Sequence, residues 1–235
     1  MDLRLRLFGI PVQVSLFFFV IVVLLRPRGG DNPALALAWV AIAFAGVLLH
    51  ELGHALTARA FGQTPAIALH GMGGVTYWRQ RGELSAWKRV ATSAAGPGVG
   101  VTLGLAAWLA GILTGLGGET TVAGTLLEYF VWVNLGWGLF NLVPMLPLDG
   151  GAIVAAALEG LFGPGGRRAA RYLSILVALG VAVLAVAGGA FIAAALCALF
   201  VYTNVQGLRA ERHAPTAAVP VPEPGPEPPP RDDVR

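Results

Sequence analysis

Residues 34–61 read ALALAWVAIAFAGVLLHELGHALTARAF, an apolar run long enough to form a helix that crosses a membrane. Three ionisable residues, His50, Glu51 and His54, lie within this run, and Arg59 lies near its end. An acidic group at the bilayer centre costs about 2.5 kcal/mol or more, so ionisable groups at that depth usually serve a function. The spacing His-Glu-Leu-Gly-His places the two histidines one turn apart, on the same face of the helix.

Two histidines at this spacing are typical of a metal site. Both imidazoles can bind one ion, and the glutamate beside them can act as a general base on a water molecule there. The alternative is a pair of core histidines satisfied by neighbouring backbone groups, because the pentapeptide also occurs by chance. The position inside an apolar run favours the metal site, and it predicts hydrolytic chemistry within a membrane.

The composition independently predicts an integral membrane protein. The 235 residues are 56% hydrophobic and 12% charged, with a mean hydropathy of +0.70, whereas soluble domains carry about 25% charged residues. The net charge of +3 comes from basic residues in short segments between apolar runs. We therefore expect the lipid bilayer, and not nucleic acid, as a partner. A single cysteine, Cys197, excludes a disulfide within the chain.

The apolar segments predict an all-α polytopic membrane protein with about six transmembrane helices. Their expected bounds are Ile10–Leu25, Ala34–Phe61, Val90–Leu116, Val122–Leu148, Leu173–Ala187 and Ala190–Thr203. Only Gly188-Gly189 separates the last two segments, so one long tilted helix is an alternative to two spans. With six spans, twelve basic residues fall on one side of the membrane and two on the other. This bias predicts a multi-pass protein of the cell membrane with both termini in the cytoplasm.

Two other segments are not expected to cross the membrane. Glycines inside short β-prone runs predict a membrane-associated β-hairpin at Ala66–Trp78, directly after the histidine-bearing helix. Eight of the sixteen prolines follow residue 210, a composition typical of an extended chain. We therefore predict a transmembrane core over residues 1–208 and a disordered, Pro-rich cytoplasmic tail over residues 209–235.

Residues 141–151 read NLVPMLPLDGG and contain the expected third metal ligand. The two prolines break the helical hydrogen bonds, and a broken helix at membrane depth is tolerated only where it lines a cavity or is buried in protein. The second and fourth spans run in the same direction, which places Asp149 at a depth similar to that of the two histidines. Asp149 is the predicted ligand, and Glu128 is the next candidate.

The combination of HELGH with NLVPMLPLDGG resembles the site-2 protease family of intramembrane zinc metalloproteases, peptidase family M50. The resemblance covers most of residues 1–208. It implies one catalytic Zn²⁺ ion bound by His50, His54 and Asp149. It also implies that Glu51 is the catalytic base.

Further site residues follow from the same resemblance. Asn141, Gly73 and Gly74 are similar in position to family residues that contact substrate. The Ala-Gly-Pro sequence at 95–97 resembles a family segment in the third span, although Gly100 stands where the family has an asparagine. No interval is long enough for a PDZ domain, and the tail is unsuited to a CBS domain, so the chain resembles the compact form of the family.

The function implied by this resemblance is regulated intramembrane proteolysis. An intramembrane zinc metalloendopeptidase would cleave the transmembrane segments of single-span proteins, with anti-sigma factors and signal-peptide remnants as candidate substrates. The alternative is a catalytically idle membrane protein that uses the same pocket to bind a metal or a partner helix. The presence of Glu51 favours the enzyme, because a site that only binds metal needs no base.

Overall fold

The chain is described from a computed structural model. The described residues are 2–27, 32–79, 82–116 and 121–213. They form eight α-helices, one π-helical turn and four short strands. The helices are α1 (Leu16–Leu24), α2 (Pro33–Ala60), α3 (Ala86–Thr114), α4 (Val122–Val131), α5 (Trp137–Asn141), α6 (Asp149–Phe162), α7 (Pro164–Ala187) and α8 (Phe191–His213). The strands are β1 (Asp2–Leu7), β2 (Ile10–Ser15), β3 (Thr64–His70) and β4 (Gly73–Arg79).

Four of these helices, α2, α3, α7 and α8, are long and apolar enough to cross a membrane. Their positions match the second, third, fifth and sixth predicted spans. A turn at Gly188-Gly189, where Gly189 has a φ of 72°, separates α7 from α8. The last apolar stretch therefore forms two helices, and the alternative of one long helix is wrong. The chain is a mostly helical membrane protein with a small sheet.

Local sequence explains the bounds of α2. The Asn32 side chain accepts a hydrogen bond from the Ala34 N–H at 2.9 Å, and Pro33 occupies the first helical position. The helix ends at Phe61, and Gly62 follows with a φ of 84°, a conformation that favours glycine. The resulting 28-residue helix carries the His-Glu-Leu-Gly-His motif about two thirds of the way along its length.

The fourth predicted span, Val122–Leu148, is helical only in part. Helical turns run from Val122 to Asn141 and include the π turn Trp132–Gly136. A loop over residues 142–148 follows, and α6 begins at Asp149. The prediction that the prolines interrupt the helix before the aspartate is therefore confirmed.

The prediction that Ile10–Leu25 forms a membrane-spanning helix is wrong. Residues 10–15 form β2, and α1 is only nine residues long. Such a helix rises about 14 Å, less than half of the ~30 Å hydrocarbon core. The sequence contains the signal for strands, because leucines alternate with polar residues in β1 and apolar residues alternate with polar ones in β2. The high apolar content of residues 16–25 obscured this alternation.

The predicted hairpin exists, and it is half of a larger sheet. Strands β3 and β4 span Thr64–Arg79, slightly beyond the predicted Ala66–Trp78. The strand order is β1-β2-β3-β4, with β2 and β3 parallel and the outer pairs antiparallel. One face of β2 and β3 packs on α1 and α2. Its buried residues are Ile10, Val12, Val14, Ile67 and Leu69, in one cluster with Phe18, Val47 and Leu52. Strand β4 is an edge strand of the described sheet.

A series of contacts joins the ends of several helices at one end of the helix bundle. Both ends of the described chain take part in these contacts. Arg59 at the end of α2 donates to the Phe8 carbonyl between β1 and β2 at 2.5 Å. The Lys88 ammonium, near the start of α3, lies over the Phe61 ring. At the far end of the chain, Arg171 of α7 bonds the Glu211 carboxylate of α8 at 2.8 Å.

Glu159 completes this series. Its carboxylate accepts a hydrogen bond from Arg89 of α3 at 2.8 Å and another from Arg167 of α7. The Arg167 guanidinium, followed by that of Arg89, lowers the pKa of the Glu159 carboxyl below its usual value. Residues 2–8 and the end of α8 therefore lie at the same end of the bundle. Helix α8 continues to His213, into the segment predicted as tail, and residues 214–235 lie outside the described residues.

Glycines in α3 allow it to approach the π turn closely. A β-carbon at Gly100 would lie 2.9 Å from the Asn134 carbonyl oxygen, and one at Gly104 would meet the Leu135 backbone at 2.5 Å. There is thus no room at position 100 for the asparagine that the family resemblance leads one to expect. The departure from the family pattern at Gly100 is explained by helix packing.

Candidate metal centre

Three predicted ligands meet where α2 faces the first turn of α6. The distance from His50 Nε2 to Asp149 Oδ2 is 3.0 Å, and that from His54 Nε2 to the same oxygen is 3.3 Å. The two Nε2 atoms are 3.2 Å apart. Both histidines are buried, and Asp149 is largely buried. His50 and Asp149, which are 99 residues apart in sequence, therefore lie in one cluster.

This triangle of donor atoms fits a zinc ion. Zinc bonds to imidazole nitrogen and carboxylate oxygen are about 2.0–2.2 Å long, which places two ligands of a tetrahedral site about 3.3–3.6 Å apart. The observed separations of 3.0–3.3 Å are close to that value. Two imidazoles and one carboxylate are a donor set that leaves a fourth position open for water or substrate, as catalytic zinc requires. Within the described residues, these three side chains form one group that can hold a metal.

Helix α3 orients the second histidine. The Nδ1 atom of His54 lies 2.7 Å from the Thr92 carbonyl oxygen. A carbonyl oxygen can only accept a hydrogen bond, so Nδ1 carries the proton. The other ring nitrogen, Nε2, is then unprotonated and can bind a metal. Gly96, one turn further along α3, lies against the His54 ring, where a β-carbon would come within 2.6 Å of Cε1. Thr92 and Gly96 thus fix the tautomer and the position of this ligand.

Glu51 is buried beneath strand β4. Its side chain is 5% exposed, and its Oε2 atom accepts a hydrogen bond of 2.7 Å from the Thr76 hydroxyl. That hydroxyl also lies 3.0 Å from the Glu51 backbone oxygen. Gly74 lies against the same carboxylate, since a β-carbon there would approach Oε1 to 2.6 Å. The edge strand therefore covers the residue predicted to be the base.

The three residues predicted to contact substrate lie in different surroundings. Gly74 adjoins the Glu51 carboxylate, as described, whereas Gly73 packs against the Trp137 ring. Asn141 is 8% exposed and donates from Nδ2 to the Trp137 carbonyl of its own helix at 2.9 Å. Among the described residues, Asn141 has no hydrogen bond to a metal ligand. Substrate contact by these residues stays a prediction.

Several residues around the centre were missed by sequence reasoning. Thr76 and Thr92 touch Glu51 and His54, and two further polar residues, Ser174 and Asn204, hold the loop before Asp149. Ser174 and Asn204 carry a usable signal, because polar side chains within apolar helices commonly bond to a neighbouring helix or loop. The contact of Thr76 with Glu51 has no such signal, since nothing in the sequence around Thr76 shows which face of the hairpin covers α2.

Relatives of this chain are found among known metallopeptidases. Residues 118–187 match the family model of peptidase family M50. The chain is 33% identical over 162 residues to the protein sll0528 of Synechocystis, covering 63% of this chain and 41% of that protein. It is 31% identical over 172 residues to zinc metalloprotease MJ0392 of Methanocaldococcus jannaschii, covering 69% of this chain and 48% of the relative. The chain thus spans about half the length of the curated relatives it matches.

The fold has a solved counterpart. The structure of a site-2 protease from Methanocaldococcus jannaschii superposes with a TM-score of 0.61 and covers 88% of this chain and 94% of that one, at 24% identity. At that identity the likeness concerns the fold. The matched segment, the curated relatives and the shared fold together confirm that this chain is a relative of the M50 peptidases, built on the site-2 protease fold.

Proposed function

We propose that the protein is an intramembrane zinc metalloendopeptidase with one catalytic zinc ion. The observation that carries the proposal is the placement of two histidines, one aspartate and an adjacent glutamate within apolar helices. Ionisable groups buried among membrane-spanning helices are expensive unless they bind a partner or do chemistry. The names of the curated relatives and the matched family support zinc and proteolysis.

The residues have separable roles in this proposal. His50, His54 and Asp149 hold the ion, which when bound supplies a Lewis acid for the scissile carbonyl and makes water more acidic. Glu51 accepts the proton of the attacking water and returns it to the leaving amine, as a general base and then a general acid. The hydroxyl of Thr76 orients the Glu51 carboxylate for this transfer. Burial by β4 keeps bulk water from the reacting groups.

We propose a membrane-spanning segment of a single-span protein as the substrate. Two of the three proposed ligands, His50 and His54, lie on α2, one of the spans, so a peptide bond reaches them most directly from within the bilayer. A helical segment must first unwind, because its carbonyls are held in helical hydrogen bonds. Strand β4 is an edge strand beside Glu51 and offers backbone groups to an extended chain. Anti-sigma factors and signal-peptide remnants are candidates within this class.

The contacts at one end of the bundle support a cytoplasmic location for both termini. Arg59, Lys88, Arg89 and the arginines of early α7 lie at the end that also holds the strands and the end of α8. Basic residues favour the cytoplasmic side. Although α1 is short, it lies against the start of α2, at the opposite end from Arg59, since the Trp39 indole donates to the Val22 carbonyl at 2.8 Å.

The decisive experiment compares the wild-type protein with Glu51→Gln. Purified protein in lipid is incubated with a panel of single-span substrates, with and without a zinc chelator. The wild type should cleave at least one substrate and lose activity on chelation. Glu51→Gln should retain zinc and lose at least about 100-fold in rate, the contribution typical of a general base. Full activity in Glu51→Gln would reject the mechanism, whereas zinc binding without cleavage by the wild type would favour the idle binding protein.

A further inference from the structure

Two buried side chains from the last two helices hold a single residue of the loop that precedes Asp149. The Ser174 hydroxyl of α7 accepts a hydrogen bond from the Leu146 N–H at 3.1 Å. The Asn204 amide of α8 donates to the Leu146 carbonyl at 2.9 Å. Both side chains are only 1% exposed. Both backbone polar groups of this one residue are thereby satisfied by side chains from outside the loop.

Leu146 needs such partners because no backbone group of the described residues bonds its N–H or its carbonyl, whereas the N–H groups of Leu142, Val143, Met145 and Leu148 all have backbone acceptors. Residues 142–148 lie between two helices, and the prolines at 144 and 147 have no N–H to donate. A backbone group buried among membrane helices without a partner costs several kcal/mol. Ser174 also donates to the Ala170 carbonyl at 2.8 Å, and Asn204 to the Phe200 carbonyl at 2.8 Å. Each side chain is thus anchored on its own helix while it reaches the loop.

The backbone position of Leu146 constrains that of Asp149, because the residues around them are tightly packed. The Leu148 N–H donates to the Met145 carbonyl at 2.8 Å, and Leu148 is the residue that caps α6. Gly151 in the first turn of α6 packs against the backbone at Leu146, leaving no space for a β-carbon. Met145 is itself buried against Ala178 and Phe200 of the last two helices. The loop and the first turn of α6 therefore form one tightly packed unit.

One atom of the Asn204 side chain indicates that this residue does more than fill space between helices. Its Oδ1 is buried and has no hydrogen-bond partner within the described residues. An apolar residue of the same size would avoid that cost, so the amide is unfavourable at this position unless its N–H groups are needed. The observed contact of this amide outside its own helix is with Leu146.

We propose that Ser174 and Asn204 are positioning residues for the metal ligand Asp149, which they hold at bonding distance from the two histidines by fixing the Leu146 backbone. The inference rests on the proposed zinc site. It assigns to α7 and α8 a role in metal affinity, although neither helix supplies a ligand. Hydrogen bonds that orient a ligand typically contribute about 10- to 100-fold to metal affinity. We expect a loss in that range when either contact to Leu146 is removed.

The test is zinc affinity, measured on full-length protein by competition with a chelator of known affinity. Ser174→Ala and Asn204→Leu should each weaken zinc binding about 10-fold or more. Ser174→Thr keeps the hydroxyl and should bind zinc like the wild type. Thr203→Val is the matched control, since Thr203 is the neighbour of Asn204 and its hydroxyl, among the described residues, bonds the Phe200 carbonyl of its own helix and not the loop.

The unfolding temperature of the metal-free protein separates positioning from general stability. A Ser174→Ala or Asn204→Leu variant that keeps wild-type zinc affinity would overturn the inference, whether or not it unfolds at a lower temperature. Each variant is measured on its folded fraction, so either of them alone decides. A wild-type protein that does not bind zinc would instead reject the proposed function, which distinguishes the two failures.

Discussion

The Thr76 hydroxyl lies 2.7 Å from the Glu51 carboxylate and so connects strand β4 to the residue proposed as the base. Thr76 and Gly74, two positions apart in one strand, face the same side of the sheet, and both touch this carboxylate. The strand that covers the base is also an edge strand of the described sheet. An extended substrate that pairs with β4 would therefore lie close to Glu51.

Thr76→Val should lower kcat about 10- to 100-fold, because a hydrogen bond to a charged group contributes about 1.5–3 kcal/mol. The valine has nearly the same shape, so zinc content and KM should stay near their wild-type values. Steady-state kinetics with a cleaved single-span substrate provide the measurement. Thr76→Ser keeps the hydroxyl and should retain most of the activity. An equal loss in both variants would show that the methyl group matters and not the hydrogen bond.

Asp149→Ala should reduce the zinc content of the purified protein well below one ion per chain. The carboxylate is one of three donors, and its removal should weaken affinity by more than the roughly 10- to 100-fold cost of losing a supporting hydrogen bond. Zinc stoichiometry by elemental analysis is the readout. Glu128→Ala is the control, because Glu128 is exposed and lies outside the group of three. A normal zinc content in Asp149→Ala would place the third ligand elsewhere.

A photoreactive cross-linker attached to a cysteine at Val75 should, on illumination, form a bond with an extended substrate captured by the Glu51→Gln variant. Val75 lies on β4 between the two residues that touch Glu51, and its own side chain is 42% exposed. Cys197 is first replaced by serine so that the new thiol is the only one.

The matched control for this cross-link is Leu3→Cys on β1, the opposite edge strand, where the native side chain is 56% exposed. Efficient cross-linking at both positions would argue for nonspecific contact. Its absence at Val75 would argue that substrate enters without pairing to β4.

The turn at Gly188-Gly189 should be accessible from outside the cell. The contacts that unite residues 2–8 with the end of α8 place this turn at the opposite end of the bundle from the basic residues. A membrane-impermeant thiol reagent should label Gly189→Cys in intact cells in the Cys197→Ser background. A cysteine at Arg209, near the end of α8, should react only after lysis. The reverse pattern would contradict the cytoplasmic location of the termini.

Glu159→Gln should destabilise the protein at neutral pH by about 1 kcal/mol, since the ion pairs are partly exposed. Arg167 and Arg89 lower the pKa of Glu159 in the folded protein, so their stabilisation is complete above the unfolded value of about 4.3 and is lost as pH falls through the lower folded value. Thermal unfolding from pH 7 to pH 3 should therefore show a smaller acid-induced loss in the variant. Glu128→Gln is the control, and an identical pH dependence of Glu159→Gln and wild type would refute the role of the cluster.

The sequence alone determined four of the helices that can cross a membrane and the three side chains that meet at the candidate metal centre. Apolar length selects segments that can form spans, and helical periodicity places His50 and His54 on one face. The two prolines and the depth of two parallel spans selected Asp149 as the third side chain. These features could be predicted because they depend on local chemistry and on the thickness of the bilayer.

Only the tertiary structure decided how the site is enclosed. Strand β2 lies inside the predicted first span, because an apolar alternating segment beside an apolar helix has the composition of a transmembrane run. The contacts of Thr76 with Glu51, of Thr92 with His54, and of Ser174 and Asn204 with Leu146 join positions 25 to 58 residues apart. Such contacts depend on the packing of whole elements, which no local pattern encodes.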